Sequence, residues 1–335
     1  MPAPAIDAEV AAALASVPEM IFPVDAQTLA AIRAAGLGLD GIPLSDQVER
    51  RDLVVPGPPG APDIIVRTHV PMGLDGLAPC LYSMHGGGYI LGDRTIDDLR
   101  FDLWCPKYSF IGVSVEYRLA PETPYPGPLE DCYAGLAWVH AHAGELGIDP
   151  ARIGINGASA GGGLAVALAL LARDRGELPI AFQMLAYPML DDRQVNPSST
   201  WEVPIWPPAS NEFGWRCYLG ELYGRDDIPG TAVPARATDL TGLPPTLIYV
   251  GTLDIFCDED ILFAMHLNHA GVPTELHVYA GAPHGFEGFA MGSDVSRRCL
   301  RETEEWLVRA LAGRLSGRGL ESSPALTSRS PHMRG

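Results

Sequence analysis

The chain has 335 residues, of which 47% are hydrophobic and 8% aromatic, and its formal net charge is -18. This length and composition can bury the core of one large α/β domain or two smaller ones, which excludes disorder as the dominant state. The negative charge repels nucleic acid and anionic membrane surfaces, so we expect neither as a partner.

The start of the chain is alanine-rich and carries Asp7 and Glu9, without the basic residues that open a secretion signal. No apolar run reaches the length that spans a membrane. The six cysteines are scattered with no C-x-x-C spacing, which favours reduced thiols over disulfides or a zinc site. We therefore expect a cytoplasmic protein without a bound metal.

Two helices are predicted near the N-terminus from apolar periodicity, at residues 7–16 and 26–35, separated by a proline-containing segment at 17–24. No residue in this region is chemically reactive. The residues alone leave two interpretations open, a packing arm or part of a lid over a site.

The first strands are predicted at residues 48–55 and 63–70 as an antiparallel pair, followed by a buried strand at 79–84. The run His85-Gly86-Gly87-Gly88 comes directly after the buried strand. Consecutive glycines leave backbone NH groups unobstructed by side chains, as an oxyanion hole requires. The alternative is a flexible loop with a capping histidine.

A further buried strand at residues 110–115 and a helix at 129–142 precede the sequence Gly157-Ala158-Ser159-Ala160-Gly161. This G-x-S-x-G pattern lies between a strand and a buried helix, and its small residues suit a turn in which the backbone doubles back on itself. Such a turn projects the Ser159 hydroxyl outward and directs the first NH groups of the helix toward a developing oxyanion.

Strands at residues 181–185, 246–250 and 275–279 continue the alternation with helices, and a helix at 294–311 closes the domain. Alternation of this kind predicts an α/β fold class with a mainly parallel sheet and helices on both faces. Residues 316–335 have little to bury, and we expect them to be disordered.

Residues 191–225 break the alternation and contain several aromatic side chains among prolines. We interpret this segment as an insertion outside the sheet that lines an apolar substrate pocket, with a small satellite core as the alternative. The candidate substrate-binding residues are Trp201, Trp206, Phe213 and Trp215.

Ser159, Asp254 and His284 occur in this order, each in a loop after a predicted strand. The ends of parallel strands lie on one side of a sheet, so these loops can converge. A serine hydroxyl needs a base to take its proton, and the base works best when a carboxylate fixes its tautomer.

Together, these motifs resemble those of the hormone-sensitive-lipase-like (bacterial family IV) carboxylesterases of the α/β-hydrolase superfamily, over about residues 45–312. The motifs are His85-Gly86-Gly87-Gly88, Tyr117-Arg118-Leu119-Ala120-Pro121-Glu122, Gly157-Ala158-Ser159-Ala160-Gly161-Gly162, Leu253-Asp254 with Asp258-Glu259, and His284-Gly285-Phe286.

The resemblance implies that Ser159 is the nucleophile, His284 the general base and Asp254 the orienting carboxylate. It implies an oxyanion hole built by the backbone NH groups of Gly86, Gly87 and Ala160. It also implies that residues 1–45 and an insertion at about 191–230 form a helical cap on a catalytic domain spanning 46–315. Pairing through the last strand of the sheet into a homodimer is a further implication.

The chain departs from the family pattern at Ala158, where the family usually has Asp or Thr, and at residues 255–257, where it more often has Pro-Leu-Arg. Asp258 is a competing candidate for the acid, but we expect it to cap a helix. Cys257 is expected to be packed and inert. His266 and His269 can share one helix face, but no third metal ligand is evident nearby.

The predicted function is hydrolysis of short- to medium-chain carboxylic esters through an acyl-enzyme, with no cofactor. Hydrolysis of amides or carbamates by the same residues remains open, because it differs only in the leaving group. A non-catalytic small-molecule receptor on the same fold is the alternative from another class.

Overall fold

The computed structural model describes residues 3–16, 23–36 and 42–315. The predicted disorder of residues 316–335 therefore lies outside the described residues, as does most of the proline-containing segment at 17–24. In the described part of the chain, eight strands form one sheet: β1 (Val48–Val55), β2 (Ile64–Pro71), β3 (Ala78–Met84), β4 (Ile111–Glu116), β5 (Ile148–Ala158), β6 (Gln183–Ala186), β7 (Thr246–Leu253) and β8 (Thr274–Pro283).

The strand order is β1-β2-β4-β3-β5-β6-β7-β8. β1 and β2 are antiparallel to each other, and β2 is antiparallel to β4, whereas every pair from β4 to β8 is parallel. The described helices are α1 (Ala8–Leu14), α2 (Leu29–Ala35), α3 (Asp98–Tyr108), α4 (Gly127–Ala141), α5 (Ala160–Arg175), α6 (Pro208–Leu219), α7 (Cys257–His269), α8 (Phe286–Phe289) and α9 (Asp294–Leu311).

Helices cover both faces of the sheet and bury separate apolar clusters against it. Side chains of α4, α5 and α7 pack with Tyr82 on one face, and side chains of α3 and α9 pack with Leu81 on the other. Tyr82 and Leu81 are neighbours on β3, whose seven residues are all buried, so successive side chains enter opposite cores. The predicted α/β fold class is confirmed.

Both N-terminal helices begin later than predicted because aspartate side chains bind the NH groups at their starts. Asp7 Oδ1 accepts hydrogen bonds from the NH groups of Glu9 and Val10, so α1 begins after Asp7. Asp25 Oδ1 accepts from the NH groups of Gln27 and Thr28, which forms a turn where helix was predicted and delays α2 to Leu29.

The segment between β6 and β7, residues 187–245, lies outside the sheet and includes the predicted insertion at about 191–230. It contains a short 3-10 turn at Ser198–Thr200 and the helix α6, which the sequence reasoning did not predict. Pro208 occupies the first turn of α6, and proline at that position is a signal for a helix start. The helix α3 was also missed.

Both described parts of the N-terminal segment dock beside the carboxyl ends of the parallel strands. The Asp7 NH donates to the Gly281 carbonyl at 2.9 Å, close to the end of β8. Arg33 Nε donates to the Ile90 carbonyl at 2.8 Å, in the loop after β3. Among the described helices, none combines the length and the apolar character needed to cross a membrane.

Candidate active site

The turn between β5 and α5 places Ser159 in a backbone conformation that L-residues rarely adopt, with φ 57° and ψ -123°. Its NH donates to the Ala186 carbonyl at 2.9 Å, and its carbonyl accepts from Met189 NH at 2.9 Å. Added Cβ atoms on Gly157 and Gly161 would overlap the carbonyls of Gly161 and Met84, respectively. The glycines of the motif are thus required by close backbone contacts around the serine.

His284 and Asp254 form a direct hydrogen bond, with His284 Nδ1 2.8 Å from Asp254 Oδ2. Asp254 has no exposed surface, and its other oxygen, Oδ1, accepts from the Phe256 NH at 3.0 Å. A carboxylate at Nδ1 fixes the proton there, which leaves Nε2 as the basic nitrogen of a neutral imidazole.

The sheet register brings the loops of Ser159, Asp254 and His284 to the same edge. Ala158 pairs with Ala186 at the ends of β5 and β6, and Leu253 pairs with Pro283 at the ends of β7 and β8. Tyr187, directly after β6, lies edge-on to the His284 ring with 4.5 Å between ring centroids. In the described part of the chain, Ser159 Oγ makes no hydrogen bond to His284, whose side-chain partner is Asp254.

The loop after β3 lies against the serine. We call residues 85–91 the glycine loop. A Cβ on Gly86 would lie 3.4 Å from Ser159 Cβ, and Gly87 has φ +117°. Among the described residues, none accepts a hydrogen bond from the NH groups of Gly86, Gly87 or Ala160. Free NH groups beside a nucleophile are the donors that an oxyanion hole needs.

The carbonyl of His85 and its side chain are held by Tyr117. Tyr117 Oη donates to the His85 carbonyl at 2.7 Å, and the two rings stack with centroids 4.1 Å apart. Burial lowers the pKa of His85, although its hydrogen bond to the Gly86 carbonyl opposes the shift. His85 is therefore a structural support at the start of the glycine loop.

A buried carboxylate behind His284 was not found from the sequence. Glu287 Oε1 accepts from Tyr187 Oη at 2.8 Å and from Tyr249 Oη at 3.1 Å. Burial raises the pKa of both tyrosines well above the ordinary value, so both hydroxyls stay protonated and donate. Glu287 lies three residues after His284, in the short helix α8.

The four aromatic residues proposed to bind substrate occupy different environments. Trp201 and Phe213 are partly exposed, Trp206 is 5% exposed, and Trp215 is fully buried. Trp215 packs against the ring of Tyr89 with centroids 5.3 Å apart. Of these four side chains, Trp201 and Phe213 keep the most exposed surface.

Asp258, the competing acid, lies in the first turn of α7 and bonds to Ser198 of the insertion. Its carboxylate accepts from the Ser198 NH at 2.9 Å, and Ser198 Oγ accepts from the Asp258 NH at 3.1 Å. The N-cap of α7 is Phe256, and Asp258 instead binds the first NH group of the 3-10 turn at Ser198–Thr200, so the helical turn that it caps lies in the insertion. This reciprocal pair attaches the insertion to the start of α7, and Ser198 Oγ also donates to the Ile255 carbonyl at 3.0 Å in the loop after Asp254.

Cys257 is buried as expected, and burial raises the pKa of its thiol to about 12, which keeps it protonated and unreactive near neutral pH. His266 and His269 are both exposed on α7. Within residues 3–16, 23–36 and 42–315, no group of three or more His, Cys, Asp or Glu side chains can hold a metal ion.

Comparisons with known proteins agree with this geometry. A family profile described as "alpha/beta hydrolase fold" matches residues 81–288. "Esterase LipI" of Mycobacterium tuberculosis is 35% identical over 86% of this chain and 89% of its own length. "Carboxylesterase NlhH" of the same organism is 37% identical over 69% of this chain and 74% of its own. The solved structure "Bacterial Heroin Esterase" has a TM-score of 0.86 and 41% identity, covering 91% of this chain and 98% of that one.

The fold and the serine turn thus define an α/β hydrolase. Within that class, the chain belongs to the hormone-sensitive-lipase-like carboxylesterases, and the resemblance carried by its motifs is confirmed.

Proposed function

We propose that this protein is a serine esterase that hydrolyses short- to medium-chain carboxylic esters through an acyl-enzyme on Ser159. The observation that carries the proposal is the buried His284–Asp254 hydrogen bond, at the same sheet edge as the strained Ser159 turn. Relatives named as esterases over most of their length support the reaction class.

In the proposed mechanism, Ser159 Oγ attacks the ester carbonyl while His284 Nε2 takes its proton. The tetrahedral oxyanion accepts hydrogen bonds from the NH groups of Gly86, Gly87 and Ala160, and collapse expels the alcohol with the proton from His284. Asp254 stabilises the imidazolium in both steps. Water then attacks the acyl-enzyme, His284 again acting as base, and the carboxylic acid leaves.

The proposed preference for short to medium acyl chains is argued from the insertion, which we place over the carboxyl ends of the parallel strands. Trp201 and Phe213 offer partly exposed apolar surface in it, which suits an acyl chain of limited length. We assign residues 1–45 and about 191–230 to a cap, since Arg33 binds the Ile90 carbonyl of the glycine loop and Ser198 binds the Ile255 carbonyl beside Asp254.

Location and assembly follow as separate proposals. All six cysteines are free, which fits a reducing cytoplasm. β8 lies at one edge of the sheet and is open to pairing with a second copy, so a homodimer is expected. Light scattering after size-exclusion chromatography tests the dimer, and a monomer at all concentrations would exclude it.

The first experiment compares p-nitrophenyl esters from acetate to palmitate, with wild type beside Ser159→Ala. We expect hydrolysis to peak at short or medium chains and to vanish in the variant. A p-nitroanilide of the preferred acyl group separates esterase from amidase activity. If the wild type binds an apolar ester but turns over neither substrate, the proposed esterase function fails and the receptor alternative replaces it.

A further inference from the structure

The insertion packs directly on the glycine loop. Gly88 has φ +61°, and the six-membered ring of Trp206 occupies the space where a Cβ on Gly88 would lie. From α6, a Cβ on Gly214 would come within 2.8 Å of the Gly88 carbonyl oxygen, closer than such atoms normally approach. Gly88 is thus enclosed by an indole ring on one side and a helix backbone on the other.

The next residue of the loop is enclosed as well. Tyr89 has φ 65°, and its ring stacks on Tyr218 of α6 with centroids 3.9 Å apart and an interplanar angle of 12°. Trp215 covers the same ring from a second direction, and Tyr89 Oη donates to the Met189 carbonyl at 3.3 Å. Three aromatic side chains of the insertion, Trp206, Trp215 and Tyr218, therefore pack against the glycine loop.

Trp206 is itself held in place by its neighbours. Its Nε1 donates to Asn211 Oδ1 at 3.3 Å, and Asn211 Nδ2 donates to Gln194 Oε1 at 3.2 Å. Trp206 and Gln194 both have positive φ, at 52° and 48°. Non-glycine residues keep such conformations only where the surrounding structure imposes them, so the indole has a defined position.

We propose that the insertion clamps the oxyanion hole, with Trp206, Gly214 and Tyr218 as positioning residues that fix the glycine loop and thereby the NH groups of Gly86 and Gly87. The inference rests on the proposed esterase function and deepens it. A run of three glycines has more backbone freedom than any other tripeptide, and donors stabilise an oxyanion only when they are already oriented. The packed aromatics remove that freedom before substrate arrives.

A clamp and a pocket wall make opposite kinetic predictions for Trp206. A wall contacts the acyl chain, so its removal changes KM and moves the preferred chain length. A clamp contacts only the loop, so its removal lowers kcat by the same factor for every ester. The KM-against-kcat split across a chain-length series therefore separates the two roles.

The test compares wild type with Trp206→Ala and the milder Gly214→Ala, and uses Trp138→Ala as the matched control. Trp138 is a half-buried tryptophan on α4 that stacks on His142. For Trp206→Ala we expect kcat to fall roughly 10- to 100-fold at unchanged chain preference, less than the roughly 100- to 1000-fold cost of deleting a donor. An alkyl trifluoromethyl ketone, which forms a tetrahedral oxyanion with an active serine, should lose affinity by the same factor as kcat/KM.

Hydrogen exchange of a peptide spanning residues 84–92 provides a readout that does not depend on activity. We expect faster exchange in Trp206→Ala and Gly214→Ala than in wild type and Trp138→Ala. A shifted chain optimum at unchanged kcat, or unchanged exchange in residues 84–92, overturns the clamp. If wild type hydrolyses no ester while the exchange result holds, the esterase proposal fails and the structural clamp stands.

Discussion

On one side of Ser159, His284 is oriented mainly by hydrogen bonds, whereas on the other side the middle of the glycine loop is fixed mainly by close packing. His284 is fixed by Asp254, and behind it Glu287 accepts from two tyrosine hydroxyls. The glycine loop instead fits between Trp206 and Gly214, with no space for a side chain at Gly88. Isosteric replacement of a hydrogen-bonding group should therefore lower kcat on the His284 side, and a single added methyl group should lower kcat on the glycine-loop side.

The largest effect is expected on the hydrogen-bonded side, from Asp254→Asn. An amide in place of the carboxylate presents a donor or a weaker acceptor to His284 Nδ1, so the tautomer with a basic Nε2 is lost. We expect kcat to fall about 10,000-fold with little change in KM. Asp258→Asn is the control, since that carboxylate holds the Ser198 NH. Greater damage from the control would mean that the acid is wrongly assigned.

On the packed side, Gly86→Ala should lower kcat about 100-fold. The added methyl group would lie 3.0 Å from the Ala158 carbonyl oxygen and 3.4 Å from Ser159 Cβ, so it displaces the loop or the nucleophile. Gly144→Ala, where a Cβ meets no atom within 4 Å, is the matched control. Equal kcat values for the two variants would show that the glycine loop accepts an added methyl group and that close packing does not fix it.

Glu287→Gln tests how far the hydrogen-bonded side extends. The glutamine keeps the shape but weakens the bonds from Tyr187 and Tyr249, and we expect kcat to fall about tenfold. Tyr187→Phe should lower kcat more than Tyr249→Phe. The Tyr187 hydroxyl bonds to Glu287 and so holds in place a ring that contacts His284, whereas the described contacts include none between Tyr249 and His284. Equal losses in the two tyrosine variants would argue against alignment of His284 through Tyr187.

The smallest effect on activity is expected for Asp260→Asn, which should change stability instead. Asp260 is fully buried on α7, and neither carboxyl oxygen has a hydrogen-bond partner in the part of the chain that the structure describes. Burial raises the pKa of Asp260 well above its ordinary value, with smaller contributions from Glu259 and Asp254.

The sign of this effect follows from proton binding. The folded state keeps a proton on Asp260 at pH values where the unfolded chain has lost it, so the contribution of Asp260 to wild-type stability falls as pH rises above about 4. Asparagine removes this contribution. The Tm of the variant minus that of wild type should grow by about 2 to 6 °C between about pH 5 and pH 9. A pH-independent difference would show that Asp260 is ionised in the folded protein.

The parallel sheet and the candidate residues Ser159, Asp254 and His284 in the loops after its strands could be predicted because local sequence patterns encode them. The limits of β1 and α9 match the predicted residues, and the glycine motif at Ser159 forms the strand-to-helix turn it indicated. The alternation of strands and helices also places the loops of Ser159, Asp254 and His284 at one edge. These features depend on short stretches of sequence.

The packing of the aromatic side chains of the insertion against the glycine loop could not be predicted, because it depends on contacts between segments that are distant in the sequence. Nothing local to Trp206 reveals that its ring meets Gly88, more than a hundred residues earlier. Likewise, Asp258 lies in the first turn of a helix, yet its partner is Ser198 on another segment. Similarly, nothing in the sequence around Glu287 indicates that the hydroxyls of Tyr187 and Tyr249 donate to its carboxylate.

The fit between Gly88 and Trp206 restricts how this enzyme can diverge or be re-engineered. Any side chain at position 88 requires the indole to leave, and a smaller residue at 206 leaves the loop without its cover. The two positions should therefore vary together among relatives. A chimera that receives the insertion of a relative should work only when it also receives the loop that evolved with it.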